Sequence, residues 1–212
     1  MQRKTGIVVA LDVDDTSIAA KIAEWVDAIK VNYPLVLSKG ISVIRELAAC
    51  KPVIADFKIA DVPHISAKIA ELAFKNGAKA VITHGFTGSD SVKAVLKVAS
   101  QFDGEVYVVS ELSSEGGEEF MTGVSEKIVE MAKKLGCSGI IAPATRPERI
   151  KKLREIAGNM QILSPGVGAQ GGKAVEAIRA GADFIIVGRS IYEGDAVKNA
   201  KALAEQLREV LK

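Results

Sequence analysis

The chain carries eight short β-rich runs, each followed by a segment with helical periodicity, and this alternation constrains its fold more than any other feature. The candidate strands are Gly6–Asp12, Ala28–Asn32, Pro52–Phe57, Ala80–His84, Glu105–Ser110, Gly139–Ala142, Gln161–Ser164 and Phe184–Val187. Their starts lie about twenty to thirty-odd residues apart, the length of one βα unit. The runs are almost continuously apolar instead of alternating, as parallel strands covered by helices on their faces must be. Eight such units predict an α/β fold, a (β/α)8 TIM barrel. A doubly wound open sheet would carry a G-x-G-x-x-G turn after its first strand. Here that strand runs into Leu11-Asp12-Val13-Asp14-Asp15, which has no glycine. With no linker, low-complexity tract or charge block, the chain reads as a single domain over residues 1–212.

The intervening segments carry helix signals of their own. Ile65, Ile69, Leu72 and Ala73 recur at helical spacing, as do Val92, Val95, Leu96 and Ala99. Pro147-Glu148 reads as a helix start, with proline at the first position and an acid in the first turn. Gly77, Gly136 and Gly181 each follow a helical segment just before a strand, where a C-terminal cap needs a left-handed residue.

Composition narrows the function. The net charge is +2, with 48% hydrophobic and 25% charged residues, so no broad basic field attracts nucleic acid or a membrane, and any phosphate site must be local. Cys50 and Cys137 have no C-x-x-C or Cys/His neighbours and read as reduced thiols. Arg3 and Lys4 precede an apolar run that Asp12 cuts short, so neither a signal peptide nor a spanning segment is expected, and a cytoplasmic protein is. No cofactor motif and no metal-ligand cluster is visible.

In such a barrel the active site lies at the C-terminal ends of the strands. Those ends present Asp12, Lys30, Asp56 with Lys58, His84, Ser110 with Ser113, Gly166 with Gly168, and Gly188 with Arg189. Within Asp56-Phe57-Lys58-Ile59-Ala60-Asp61, strand alternation points Asp56 and Lys58 the same way, and a loop can return Asp61 toward the same space. Asp12, Lys30, Asp56, Lys58 and Asp61 are therefore expected to converge as alternating charges around one cavity, an arrangement that favours function over stability. The Pro165–Gly172 run and Gly188-Arg189 follow strands 7 and 8, where barrels grip phosphate through backbone N–H groups. His84 is read as a hydrogen-bonded structural histidine, and His64 is given no role. Ser114–Gly123, with Gly116-Gly117, reads as a lid.

Together, Lys30-Val31-Asn32-Tyr33-Pro34, Asp56-Phe57-Lys58-Ile59-Ala60-Asp61, Pro165-Gly166-Val167-Gly168-Ala169-Gln170-Gly171-Gly172 and Gly188-Arg189-Ser190-Ile191 resemble the orotidine 5′-monophosphate decarboxylases, in their short archaeal form, over essentially the whole chain. The resemblance implies cofactor-independent decarboxylation of OMP to UMP in pyrimidine biosynthesis. Lys58 would donate a proton to C6, Asp56 would sit against the substrate carboxylate, and Lys30 would hold Asp56 and touch the ribose. Asp12 would bind a ribose hydroxyl and Ser113 the pyrimidine edge. Pro165, Gly166 and Val167 would line the site, Gln170 would bridge base and phosphate, and Gly188 with Arg189 would bind the phosphate. Asp61 would enter the site of the other subunit of a homodimer. Four residues after the second aspartate the family commonly has a threonine that reaches the ribose in trans. Here that position is Ile65, with Ser66 beside it, so this contact is not carried over.

Two other readings compete. Mg²⁺-dependent 3-keto-gulonate-phosphate decarboxylases or hexulose-phosphate synthases share the scaffold but need a glutamate at the end of strand 2, where this chain has Lys30. A phosphate-binding barrel with a decayed site would not be expected to keep the Asp-x-Lys-x-x-Asp array.

Overall fold

A computed structural model of the chain describes residues 1–211; Lys212, the last residue of the expected domain, lies outside the described residues. The chain runs β1 (Ile7–Ala10), α1 (Ser17–Ile22), β2 (Ala28–Val31), α2 (Tyr33–Lys39), α3 (Val43–Ala48), β3 (Val53–Ile59), α4 (Pro63–Lys75), β4 (Ala80–His84) and α5 (Ser89–Ala99). It continues with β5 (Glu105–Val109), α6 (Gly117–Phe120), α7 (Ser125–Leu135), β6 (Gly139–Ile141), α8 (Pro147–Ala157), β7 (Gln161–Pro165), α9 (Ala174–Arg179), β8 (Phe184–Val187), α10 (Arg189–Tyr192) and α11 (Ala196–Arg208). The eight strands pair in sequence order, all parallel, and β8 closes on β1 through Ile7↔Ile185 and Val9↔Val187. The expected barrel is the observed one.

Alternation along each strand sorts the core into two layers. Val8, Ala10, Ile54, Ile82, Tyr107, Val109, Leu163, Phe184 and Ile186 fill the interior, whereas Val9, Val31, Val53, Val81, Val108, Ile162 and Ile185 face the helices. Tyr107 and Phe184, both fully buried, carry much of the inner volume. Gly139 makes room for the tyrosine: a Cβ there would lie 2.8 Å from the Tyr107 ring and 2.2 Å from the Gln161 carbonyl.

Helix boundaries follow their local chemistry. Pro63 and Pro147 sit in the first turn of α4 and α8. Asn32 caps α2 by accepting from the Tyr33 N–H at 2.7 Å. Gly77, Gly136 and Gly181 have φ of 91°, 76° and 113°, the left-handed exit their positions predict. Two strands outrun their expected ends: β7 reaches Pro165 and β3 reaches Ile59. The β3 extension shapes the site.

Candidate active site

β3 carries the charged array on an irregularity. Ala55 pairs with Val81 and Ile59 with Thr83, so four steps along β3 oppose two along β4. The surplus bows the strand, and Lys58 takes φ 40°, a left-handed conformation that suits glycine and is costly for a long side chain. The Thr83 Oγ1 donates to the Ile59 carbonyl at 2.9 Å and closes the bow. Asp56 and Lys58 thus share one cavity through a bulged backbone, and not through flat alternation alone.

Four of the five charges expected to converge do so. The Lys58 Nζ lies 3.0 and 2.9 Å from the two Asp56 carboxylate oxygens. The Lys30 Nζ lies 3.0 Å from Asp56 and 3.9 Å from Asp12. Asp56 and Lys30 are only 4% and 5% exposed, so this carboxylate is held between two ammonium groups almost out of solvent. Burial pushes the Asp56 carboxyl up, but Lys30 and then Lys58 outweigh it and hold it below the usual carboxylate range.

Asp61 does not join them. It is exposed, it is not among the residues lining the cavity, and its Oδ1 accepts the Val62 N–H at 2.7 Å. Convergence of all five charges within one chain is therefore corrected: the turn after Ile59 leads the aspartate out over the rim. Ile65 is half-buried, and Ser66 turns its hydroxyl inward to the Asp61 carbonyl at 2.9 Å. The serine therefore does not replace the threonine missing at Ile65.

His84 also departs from expectation. It is buried and tilted against the Phe86 ring at 4.7 Å, but its Nδ1 has no hydrogen-bond partner among the described residues. Desolvation, reinforced by the Lys58 charge and opposed by Asp56, lowers its pKa to about 4. It stands as a neutral imidazole beside the array, not as a satisfied structural histidine. His64 opens α4 on the exposed side.

The cavity measures about 420 Å³, within the range of small-ligand sites. It is lined by Asp12, Lys30, Asp56 and Lys58 on one side and by Ser113, Pro165, Gly166, Val167, Gln170, Gly188 and Arg189 on the other. Ile82, Val109, Leu112, Ile141 and Ile186 supply apolar wall between them. The loop after β7 is folded on itself, with Gly168 N–H donating to the Gly172 carbonyl at 2.9 Å and Gly172 N–H to the Gly166 carbonyl at 3.0 Å. Gly166 has φ 100°, and a Cβ there would stand 3.0 Å from the Ser113 Cβ, 3.0 Å from the Thr145 methyl and 3.1 Å from the Gln170 Oε1. The connections after β5, β6 and β7 meet at this glycine.

Several site features do not follow from the strand ends alone. Asn32 and Tyr192 line the cavity. Glu111, fully buried, accepts from Arg146 Nε at 3.2 Å and Arg149 Nε at 3.0 Å. Arg146 also donates to the Leu112 carbonyl and to the Ser114 carbonyl at 3.4 Å. The expected lid, Ser114–Gly123, contains α6 and is tied to the start of α8 by the Arg146 guanidinium, which reaches the Ser114 carbonyl and, at 3.1 Å, the Glu118 carboxylate. Two arginines three residues apart beside Pro147 were the available signal. Among the described residues, no three His, Cys, Asp or Glu side chains are grouped to hold a metal ion.

A sequence model of the orotidine 5′-phosphate decarboxylase / HUMPS family matches residues 5–203. The chain is 52% identical to the orotidine 5′-phosphate decarboxylase of Methanosarcina mazei, over 100% of its own length and 99% of that protein. It is 46% identical to the Methanocaldococcus jannaschii enzyme of the same name, covering 97% and 98% of the two chains. The crystal structure of the M. jannaschii enzyme complexed with the inhibitor BMP superposes with a TM-score of 0.91 at 44% identity, covering 95% of this chain and 98% of that one. The enzyme from Sulfolobus solfataricus gives 0.89 at 28% identity, covering 99% and 100%.

The left-handed backbone at Lys58 predicts that Lys58→Gly is more stable than Lys58→Ala. Both lose the ammonium, but only alanine keeps a strained Cβ, worth about 1 kcal/mol and a Tm difference of roughly 2–4 °C for a chain of this size. Calorimetry checks it; an alanine variant at least as stable as the glycine one contradicts the strain.

Proposed function

The chain belongs to the orotidine 5′-phosphate decarboxylase / HUMPS family, and from that premise we propose how its residues work on the nucleotide. The enzyme is a carboxy-lyase of pyrimidine biosynthesis that converts orotidine 5′-monophosphate to UMP and CO2. The observation carrying the proposal is the buried Asp56 carboxylate clamped between Lys30 and Lys58 at 3.0 and 2.9 Å.

The substrate lies across the cavity with its phosphate toward Gly188, Arg189 and the Pro165–Gly172 loop. Gln170 spans base and phosphate, and Ser113 meets the pyrimidine edge. Asp12 and Lys30 take the ribose hydroxyls. The carboxylate on C6 is thereby set beside Asp56, and the repulsion between the two anions is relieved as CO2 leaves. When the C6–carboxylate bond breaks, the electron pair stays on C6. The Lys58 ammonium stabilises that charge and then transfers a proton from Nζ to C6. Lys58, left neutral, regains its proton from solvent. Phosphate contacts far from C6 supply binding energy that is expressed in the transition state. Ile82, Leu112 and Ile141 keep water from the reacting carbon.

Asp61 completes the site of a second copy. Support comes from its exposed position and from its surroundings: Val62, next in the chain, and Phe86, in the β4–α5 connection, are 52% and 59% exposed, the kind of apolar surface that a dimer covers. The site would then hold two aspartates around Lys58, one from each subunit. No helix among the described residues is long and apolar enough to cross a membrane, and a free-nucleotide substrate suits work in the cytoplasm.

Lys58→Ala is expected to lower kcat by at least about 10³-fold, the combined scale of lost general acid and lost charge stabilisation. Arg189→Ala removes a charge-assisted contact and raises KM by roughly 10- to 100-fold, with a smaller effect on kcat. Steady-state conversion of OMP to UMP in EDTA measures both. Near-normal kcat for Lys58→Ala contradicts the mechanism, and loss of wild-type activity in EDTA with recovery in Mg²⁺ favours the metal-dependent reading that Lys30 argues against.

Subunit mixing tests Asp61. Lys58→Ala and Asp61→Asn dimers, each with little activity alone, when dissociated and re-paired together should regain about a quarter of wild-type specific activity. Half of the randomly formed dimers are mixed, and each of those has one intact site. Mixing without recovery contradicts the shared site.

A further inference from the structure

Behind the β3–α4 connection lie two hydroxyls that the site does not use. Ser66 on α4 and Ser91 on α5 are 0% and 1% exposed. The Ser66 Oγ donates to the Asp61 carbonyl at 2.9 Å, the Ser91 Oγ is 2.8 Å from that same carbonyl, and the two hydroxyl oxygens are 2.8 Å apart. Each hydroxyl has one proton, so two protons serve three short separations. Ser66 gives its proton to the carbonyl, and Ser91 gives its own to the carbonyl or to Ser66. Among the described residues no backbone N–H reaches this carbonyl. Two residues earlier, the buried Thr83 hydroxyl donates to the Ile59 carbonyl at 2.9 Å. The backbone on both sides of Ala60 is thus held from β4, α4 and α5 at once.

Hydroxyls buried between two helices cost free energy unless bonded, and alanine would fill the same space with less to satisfy. Here both serve a single carbonyl, that of Asp61. The Asp61 side chain adds nothing to the interior: it is exposed, with one carboxylate oxygen on the Val62 N–H. An exposed carboxylate on a loose turn would sample many positions. A pinned main chain restricts it to few, and a misplacement near 1 Å is enough to cost about 10²-fold in rate.

We infer that Ser66 and Ser91 are positioning residues for the shared site, fixing the Asp61 turn so that its carboxylate is presented in one pose to the second copy. The inference rests on the reading of Asp61 as a residue that works in the partner's cavity. Neither serine touches the substrate; both act through the Asp61 backbone. The inward hydroxyl of Ser66 has this use in place of any contact with the ribose.

The test is a double-mutant cycle on the purified full-length dimer. The kcat and KM for OMP, together with Tm, are measured for wild type, Ser66→Ala, Ser91→Ala and the double alanine variant, each with Asp61 and with Asp61→Asn. The double alanine variant is expected to lose about tenfold in kcat with Asp61 present, with KM little changed and no further loss in the Asp61→Asn background. Where the double variant does not fold, the single variants run through the same cycle, and a threefold loss confined to the Asp61 background is the expected result. Equal losses in both backgrounds mean general structural damage and overturn the inference. So does an unchanged kcat in the Asp61 background while Asp61→Asn alone is damaging, a result that leaves the shared site standing. If Asp61→Asn itself leaves kcat unchanged, the reading of Asp61 falls and this inference falls with it.

Discussion

A carboxylate can be buried at the mouth of an apolar barrel only if its charge is answered on the spot, and Asp56 is answered twice. Lys30 reaches it at 3.0 Å from β2 and Lys58 at 2.9 Å from β3 itself. Desolvation opposes the ionised form, and two ammonium groups at contact distance overcome it. The Asp56 carboxyl titrates below its unfolded value. It therefore contributes stability above the ordinary aspartate pKa of about 4 and loses it as pH falls through the lower folded value. Removing either lysine would leave a buried charge partly uncompensated. The array is therefore constrained as a unit, and the backbone bow at Lys58 is the strain that accompanies it.

The remaining architecture frames a cavity against that unit. The barrel places the charged strands and the glycine-rich connections on opposite sides of one cavity. Gly166 lets the connections after β5, β6 and β7 touch, so Ser113, Thr145 and Gln170 share one contact point. Behind Ser113, the buried Glu111 and its two arginines tie the β5 connection to α8.

Much of this was legible from sequence because the signals are local or periodic. Apolar runs located eight strands to within two residues, and prolines and glycines marked the helix ends. Asp12, Lys30, Asp56 and Lys58 could be placed together because strand ends in a closed barrel share one rim. Asp61 could not, because alternation says nothing once the strand has ended and the turn that follows carries the side chain outward. The bulge that extends β3 to Ile59 was also invisible, since it depends on register against β4. Residue type alone suggests a bonded role for His84, and its unpartnered Nδ1 emerges only from packing. Arg146 and Arg149 beside Pro147 are a local signal, but their partner Glu111 lies 35 and 38 residues away and is met only across neighbouring loops.

Asp56 stays an anion because two lysines hold it so. Carboxyl ¹³C NMR of the enzyme, with the resonance assigned by its loss in Asp56→Asn, reads this directly. The Asp56 signal is expected to remain that of the ionised form below the ordinary aspartate pKa of about 4. A carboxyl that takes up its proton above that value would contradict it.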